Sequence, residues 1–213
     1  FLPISIVDLS ESTFNMMKDV FKESCFESLL PAYGLNGELM LKVLLSDHFS
    51  QYELIHEIDN VSFDNLQKFV VKFFKQLKLQ VLVQGNILKS QALEIAGKIR
   101  TNLKCQLFSE EPELKRRCYQ FPLGSTVIRT KSFTPNDDNS LIRDYYQVGL
   151  DTVRRRTLGR LLVSILNPKT YDFLRSKEQL GYGVAAQFYE RGGVIGIQII
   201  VLSQEGKNTY IKV

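Results

Sequence analysis

His48 and His56 are the only histidines in 213 residues, and histidine is where a search for hydrolytic or metal chemistry begins. Their eight-residue separation matches neither H-E-x-x-H nor H-x-x-E-H, the spacings that set two imidazoles around one zinc ion, although Glu57 follows His56 directly. Both read as surface histidines or as histidines satisfied by a neighbour. Cys25, Cys105 and Cys118 are an odd set without C-x-x-C, which excludes a zinc ribbon and speaks against a disulfide framework. A reducing, cytoplasmic compartment fits them best. No metal site and no nucleophile–base pair can be assembled from these side chains. Arg154-Arg-Arg156 is the one tight basic run, and with a net charge of only +4 it reads as a solvated helix face. Nucleic-acid binding needs a denser basic stripe, so no such partner is expected.

The most distinctive stretch is Tyr171-Asp-Phe-Leu-Arg-Ser-Lys-Glu-Gln-Leu-Gly-Tyr182, and the elements around it must position it. Hydrophobic residues make up 44% of the chain, including 14 Phe and 9 Tyr, which is core material rather than the composition of a disordered chain. No run approaches eighteen apolar residues, so no membrane span is expected. Asp8 and Glu11 resemble a capping box, and Phe14, Met17, Val20, Phe21 and Phe26 recur at helical spacing, predicting a helix over 11–30. Pro31 and Gly34 are expected to break it. A second helix is predicted over 38–58 and a third after Ser62, with Phe69, Val70, Phe73, Phe74 and Leu77 packed in a core. Leu79–Val83 reads as a buried strand and 89–103 as a helix.

Segment 104–116 lacks a pattern, and 111–117 is the expected linker between a unit over 1–110 and another over 118–213. Beyond it, 118–133 alternates with turn signals, Pro135–Asn139 is a turn cluster and 141–150 a strand. A helix is predicted over 151–166 with Leu158, Leu161, Leu162 and Ile165 inward. Pro168 opens a short further helix that carries Tyr171, with Gly181 at its C-cap. Val184–Tyr189 and Val194–Leu202 read as a hairpin through Gly192 and Gly193. The order predicts an α+β fold, helices packed on largely antiparallel sheets, in two incomplete related domains. Phe1 in place of Met leads to the expectation of a piece of a longer protein, and Asn208–Val213 reads as the opening of a helix.

The stretch ending at Tyr182 resembles the F-x-x-L-R-[ST]-K-E-Q-L-G-Y segment of the insulin-degrading-enzyme and nardilysin family, the pitrilysin-type (insulinase) inverzincin metallopeptidases. It matches from Leu174 to Tyr182, with Tyr171 where the family has Phe. Leu82-Val-Gln-Gly-Asn86 resembles the family's L-x-x-G-N strand end, and Asp144-Tyr-Tyr-Gln147 its I-x-Y-Y-Q strand; between Phe133 and Asp144 lies a turn rich in Asn and Asp, as in the family. Which branch of the family is closer stays open.

The resemblance implies four related α+β domains in two halves around a closed chamber, with zinc bound by H-x-x-E-H and a distant Glu in the half that this chain lacks. This chain would cover the end of the third domain and the start of the fourth, taking peptide substrates and the missing half of the same protein as partners, with a homodimer also allowed. Arg175 would bind a substrate carbonyl, and Tyr182 would donate to the carbonyl oxygen as charge develops. Tyr171 would line the substrate site and tune which side chains fit. The types suit that work: a guanidinium is a permanent fork of donors, and a phenol adds one directional O–H. Two other readings remain, a catalytically silent homologue serving as a binding or scaffold protein and a stand-alone interaction module. Zinc content of the complete protein separates the first from the enzyme; aggregation of the isolated chain removes the second.

Overall fold

The hydroxyl of Ser10 accepts the Thr13 N–H at 3.1 Å and so opens α1 (Glu11–Leu29). The computed structural model describes residues 10–103, 106–107, 117–134, 136–204 and 208–212. Asp8, Cys105 and most of the expected linker lie outside these. α1 has the expected length, but its buried residues are Cys25 and Leu29, whereas Met17, Val20, Phe21 and Phe26 are exposed. The single helix expected over 38–58 is two: α2 (Ala32–Leu44) begins directly after Pro31, and α3 (Gln51–Ile58) follows an extended break at Leu45. Gly34 is no breaker. It lies inside α2, where a Cβ would stand 2.0 Å from the Ser28 carbonyl oxygen, so close backbone approach requires glycine.

The described residues fall into two compact units that interleave along the chain. The first draws on Phe1–Phe21 and Glu57–Leu114. It holds α4 (Phe63–Lys75), β1 (Gln76–Leu77), α5 (Lys89–Leu103) and β2 (Gln106–Leu107), with β1 and β2 parallel. Ser62 and Asn65 close a reciprocal capping box at the start of α4. Lys18 Nζ donates to the Asp59 and Val61 carbonyls at 3.2 and 2.8 Å, tying α1 to the entry of α4. The buried strand expected over 79–83 does not form; Leu82 is 88% exposed. Phe69 and Phe73, expected in a core, are exposed and stack on each other at 5.7 Å. An apolar stripe is buried only where an opposing face exists, and the described sheet of this unit is two strands of two residues.

The second unit draws on Lys22–His56 and Lys115–Val213. Its sheet comprises β3 (Val127–Lys131), β4 (Ser140–Leu150), β5 (Gly183–Arg191), β6 (Val194–Ser203) and β7 (Asn208–Lys212), in the order β3-β7-β4-β6-β5. All pairs are antiparallel except β4–β7. The expected α+β class therefore holds. Asn208–Lys212 is a strand rather than the opening of a helix, because it finds edges on both β3 and β4. Gly192 and Gly193, at φ 55° and 76°, make the two-residue turn between β5 and β6, where both positions must be left-handed.

β4 alternates as a strand with unlike faces should. Leu141, Arg143 and Tyr145 are buried, whereas Ile142, Tyr146, Val148 and Leu150 are exposed. Met40, Leu44 and Leu45 pack with Tyr145, and Ala32 packs with Leu141 and Ile200, so α2 and its C-terminal end cover the first face. The motif residue Gln147 works as a backbone surrogate: its Oε1 accepts the Phe121 N–H at 3.1 Å and its Nε2 donates to the Tyr119 carbonyl at 2.9 Å. The other side of the sheet carries α6 (Val153–Thr170), capped by Thr152. α6 packs through Gly159 against the Phe188 ring and accepts the Ala186 N–H on Asn167 Oδ1 at 2.9 Å. Its contact face is thus the small and polar one; Leu158, Leu161, Leu162 and Ile165, expected inward, are exposed. Pro168 opens no new helix but lies within α6.

Candidate functional site

α6 runs without a break into a π-helical segment, Tyr171–Lys177, that carries the first half of the motif. Its wide turns are signed by the Glu178 N–H, which reaches the Phe173 carbonyl five residues back at 2.9 Å. The Leu180 N–H then reaches the Leu174 carbonyl at 3.0 Å and closes the loop that follows. Gln179, at φ 53°, takes the left-handed position that ends the segment, not Gly181 as expected. Gly181 is required for another reason: a Cβ there would lie 2.2 Å from the Leu202 carbonyl oxygen. The Tyr182 N–H donates to that same oxygen at 3.0 Å, so the motif is seated on the end of β6 before the chain enters β5.

Arg175 sits in the last turn of the π-helical segment, half-buried, and no hydrogen bond or ion pair occupies its guanidinium among the described residues. Tyr182 is 49% exposed, and its hydroxyl donates to Asn139 Oδ1 at 3.0 Å. Closure between Leu174 and Leu180 sets the residue next to Arg175 against the residue two before Tyr182, so the two donors flank one tied loop. Tyr171 opens the segment, half exposed, and no hydrogen bond joins its side chain to either of them among the described residues. Lys177 pairs with Asp172 at 3.1 Å.

Asn139 is a residue that reading the sequence missed. The cluster Pro135–Asn139 signals a turn, and turn chemistry alone explains Asn and Asp there. Only the fold carries this turn to Tyr182, 43 residues away.

His48 is paired with Glu38 at 3.3 Å and His56 lies edge-on to Tyr52 at 4.5 Å. Burial pushes the Cys25 and Cys118 thiols up, away from thiolate chemistry. Among the described residues no group of three or more His, Cys, Asp or Glu could hold a metal ion, so they do not fit a zinc site. Among the described residues no helix is long and apolar enough to cross a membrane. A groove of about 770 Å³ between residues 118–125 and β4 contains none of Tyr171, Arg175 and Tyr182.

The protein family described as "Peptidase M16 inactive domain" matches residues 60–211. Human nardilysin is 27% identical over 197 residues, covering 92% of this chain and 17% of that protein. Insulin-degrading enzyme of Drosophila melanogaster is 29% identical over 202 residues, covering 92% of this chain and 20% of its own length. The A-factor-processing enzyme of Saccharomyces cerevisiae is 22% identical over 198 residues, with 92% and 19% covered. In fold, the crystal structure of pitrilysin is similar at a TM-score of 0.71 and 19% identity, covering 94% of this chain and 21% of that one. The chain therefore spans about a fifth of these relatives' length.

Proposed function

Since the chain belongs to the Peptidase M16 family, over the part described as its inactive domain, we propose that it is the substrate-gripping, metal-free portion of a longer zinc metalloendopeptidase. The observation that carries this reading is the pair of donors at the two ends of one tied loop: a guanidinium at Arg175 with no hydrogen bond or ion pair among the described residues, and an accessible phenol at Tyr182. Residues 1–110 would be the end of a third peptidase-like domain and 118–213 the start of a fourth. Zinc would be held outside this chain.

When a peptide carbonyl is attacked, negative charge gathers on its oxygen. Donors already aimed at that oxygen lower the barrier, because little reorganisation is left to be done at the moment of reaction. Tyr182 would give its O–H to that oxygen; Arg175 would hold a neighbouring substrate carbonyl and keep the backbone in line. Tyr171, half exposed at the start of the same segment, would border the substrate side chain and affect preference more than rate.

The test uses the complete protein and an internally quenched peptide. Tyr182→Phe is expected to lower kcat by about tenfold to a thousandfold with KM little changed, the mark of an interaction made in the transition state. Arg175→Ala is expected to lower kcat/KM at least about tenfold, with part of the loss in KM. Turnover unchanged in both variants would remove the roles assigned here.

A further inference from the structure

The Tyr182 hydroxyl has a single proton, and the residues behind its partner decide where that proton points. Asp137 Oδ1 accepts the Asn139 backbone N–H at 3.0 Å and Asn139 Nδ2 at 2.7 Å. A carboxylate only accepts, so the amide nitrogen must face it. The amide oxygen then faces the other way, where Tyr182 Oη lies at 3.0 Å. An amide oxygen also only accepts, so the phenol is the donor. Direction is handed from Asp137 through Asn139 to Tyr182, over a turn that β4 holds at one end and a motif that β5 and β6 hold at the other.

We propose that Asn139, oriented by Asp137, is a positioning residue for Tyr182. It keeps the half-exposed ring in one rotamer and its O–H in a defined donor direction until a substrate oxygen accepts that hydrogen bond in its place. A phenol exposed to this degree would otherwise sample several rotamers, and each unproductive one subtracts from the fraction of enzyme ready to react. The inference rests on the reading of Tyr182 as a donor to the reacting carbonyl, and the experiment is chosen to separate the two.

In the complete protein, Asn139→Ala is expected to lower kcat about tenfold, the worth of one hydrogen bond, with KM little moved. In a Tyr182→Phe background the same substitution should cost nothing further, because both act through one hydroxyl. Asn139→Asp sets two carboxylates against each other and should lose as much. Adding Asp137→Asn exchanges the groups: the new amide donates to the new carboxylate, whose second oxygen accepts from Tyr182. That swapped pair should recover kcat to within about threefold of the parent, as expected when a lost coupling is restored.

Additive losses in the Tyr182→Phe background, or no recovery in the swapped pair, overturn the positioning role while leaving the Tyr182 reading intact. Should Asn139→Ala fail to fold, Asn139→Asp and the swapped pair carry the comparison alone. Should Tyr182→Phe leave kcat unchanged, the Tyr182 reading falls, and the clasp is judged by the ¹³Cζ resonance of Tyr182. A shift in Asn139→Asp that returns in the swapped pair supports the clasp; an unmoved resonance overturns it.

Discussion

The α4–α5 region of the first unit and the β4–β6 ladder of the second both carry strong apolar patterns, and they come to opposite ends. In the first, Phe69, Phe73 and Leu82 stand in solvent and the described helices have no buried residue. In the second, Leu141, Tyr145 and Ile195 are closed off, with Met40 and Leu44 packed on Tyr145 and Ala32 on Leu141. The second region has a wide sheet whose neighbouring strands share faces, and a helix that lies over one of those faces. The first, among the described residues, has helices and a sheet of two strands of two residues. Hydrophobic gain follows area removed from water, so a pattern stabilises only where a partner surface meets it.

The comparison breaks or holds first on core truncation. Leu44→Ala, at a fully buried site, is expected to cost about 2–5 kcal/mol, because lost burial and a residual cavity add. Chemical denaturation followed by tyrosine fluorescence measures it, and a cost below 1 kcal/mol, the level of a surface site, would refute the core assignment. Next comes Gly196→Ala. A Cβ there would fall 2.2 Å from the Tyr145 ring, so overpacking should cost about 1–3 kcal/mol in the same assay. A neutral result would mean that the ring moves freely.

Phe69→Ala sets the other limit. Being 59% exposed, it should change stability by about 0.5 kcal/mol or less; a core-sized loss would show that the first unit buries its stripe after all.

The smallest effect is electrostatic. Lys42 Nζ lies 2.7 Å from both Glu53 oxygens, and Ser50 adds its hydroxyl and N–H, which together lower the carboxyl to about 2. Because the folded value is depressed, this contribution is complete above the ordinary glutamate value of 4.5 and is lost as pH falls through about 2. The stability difference between parent and Glu53→Gln should therefore shrink steadily across that window; a constant difference would dismiss the pair. Its exposure to solvent keeps the effect small.

Much of this protein was decided by local rules that a sequence displays openly. Helix spans such as Glu11–Leu29 and Lys89–Leu103, the Ser62 cap, strand Ser140–Leu150 and the Gly192–Gly193 hairpin follow from periodicity, capping and backbone freedom, all of which act within a few residues. The motif from Leu174 to Tyr182 marked the candidate donors for the same reason: its information is contiguous. Tertiary structure alone decided the rest. Whether Leu161 points inward depends on which side of α6 meets Phe188, and Gly159, not the leucines, allowed the close approach. Asn208–Lys212 became a strand because β3 and β4 offered it edges. The acceptor for Tyr182 came from a turn 43 residues earlier. Burial, strand pairing and hydrogen-bond partnership belong to pairs of surfaces, and a linear pattern describes only one member of each pair.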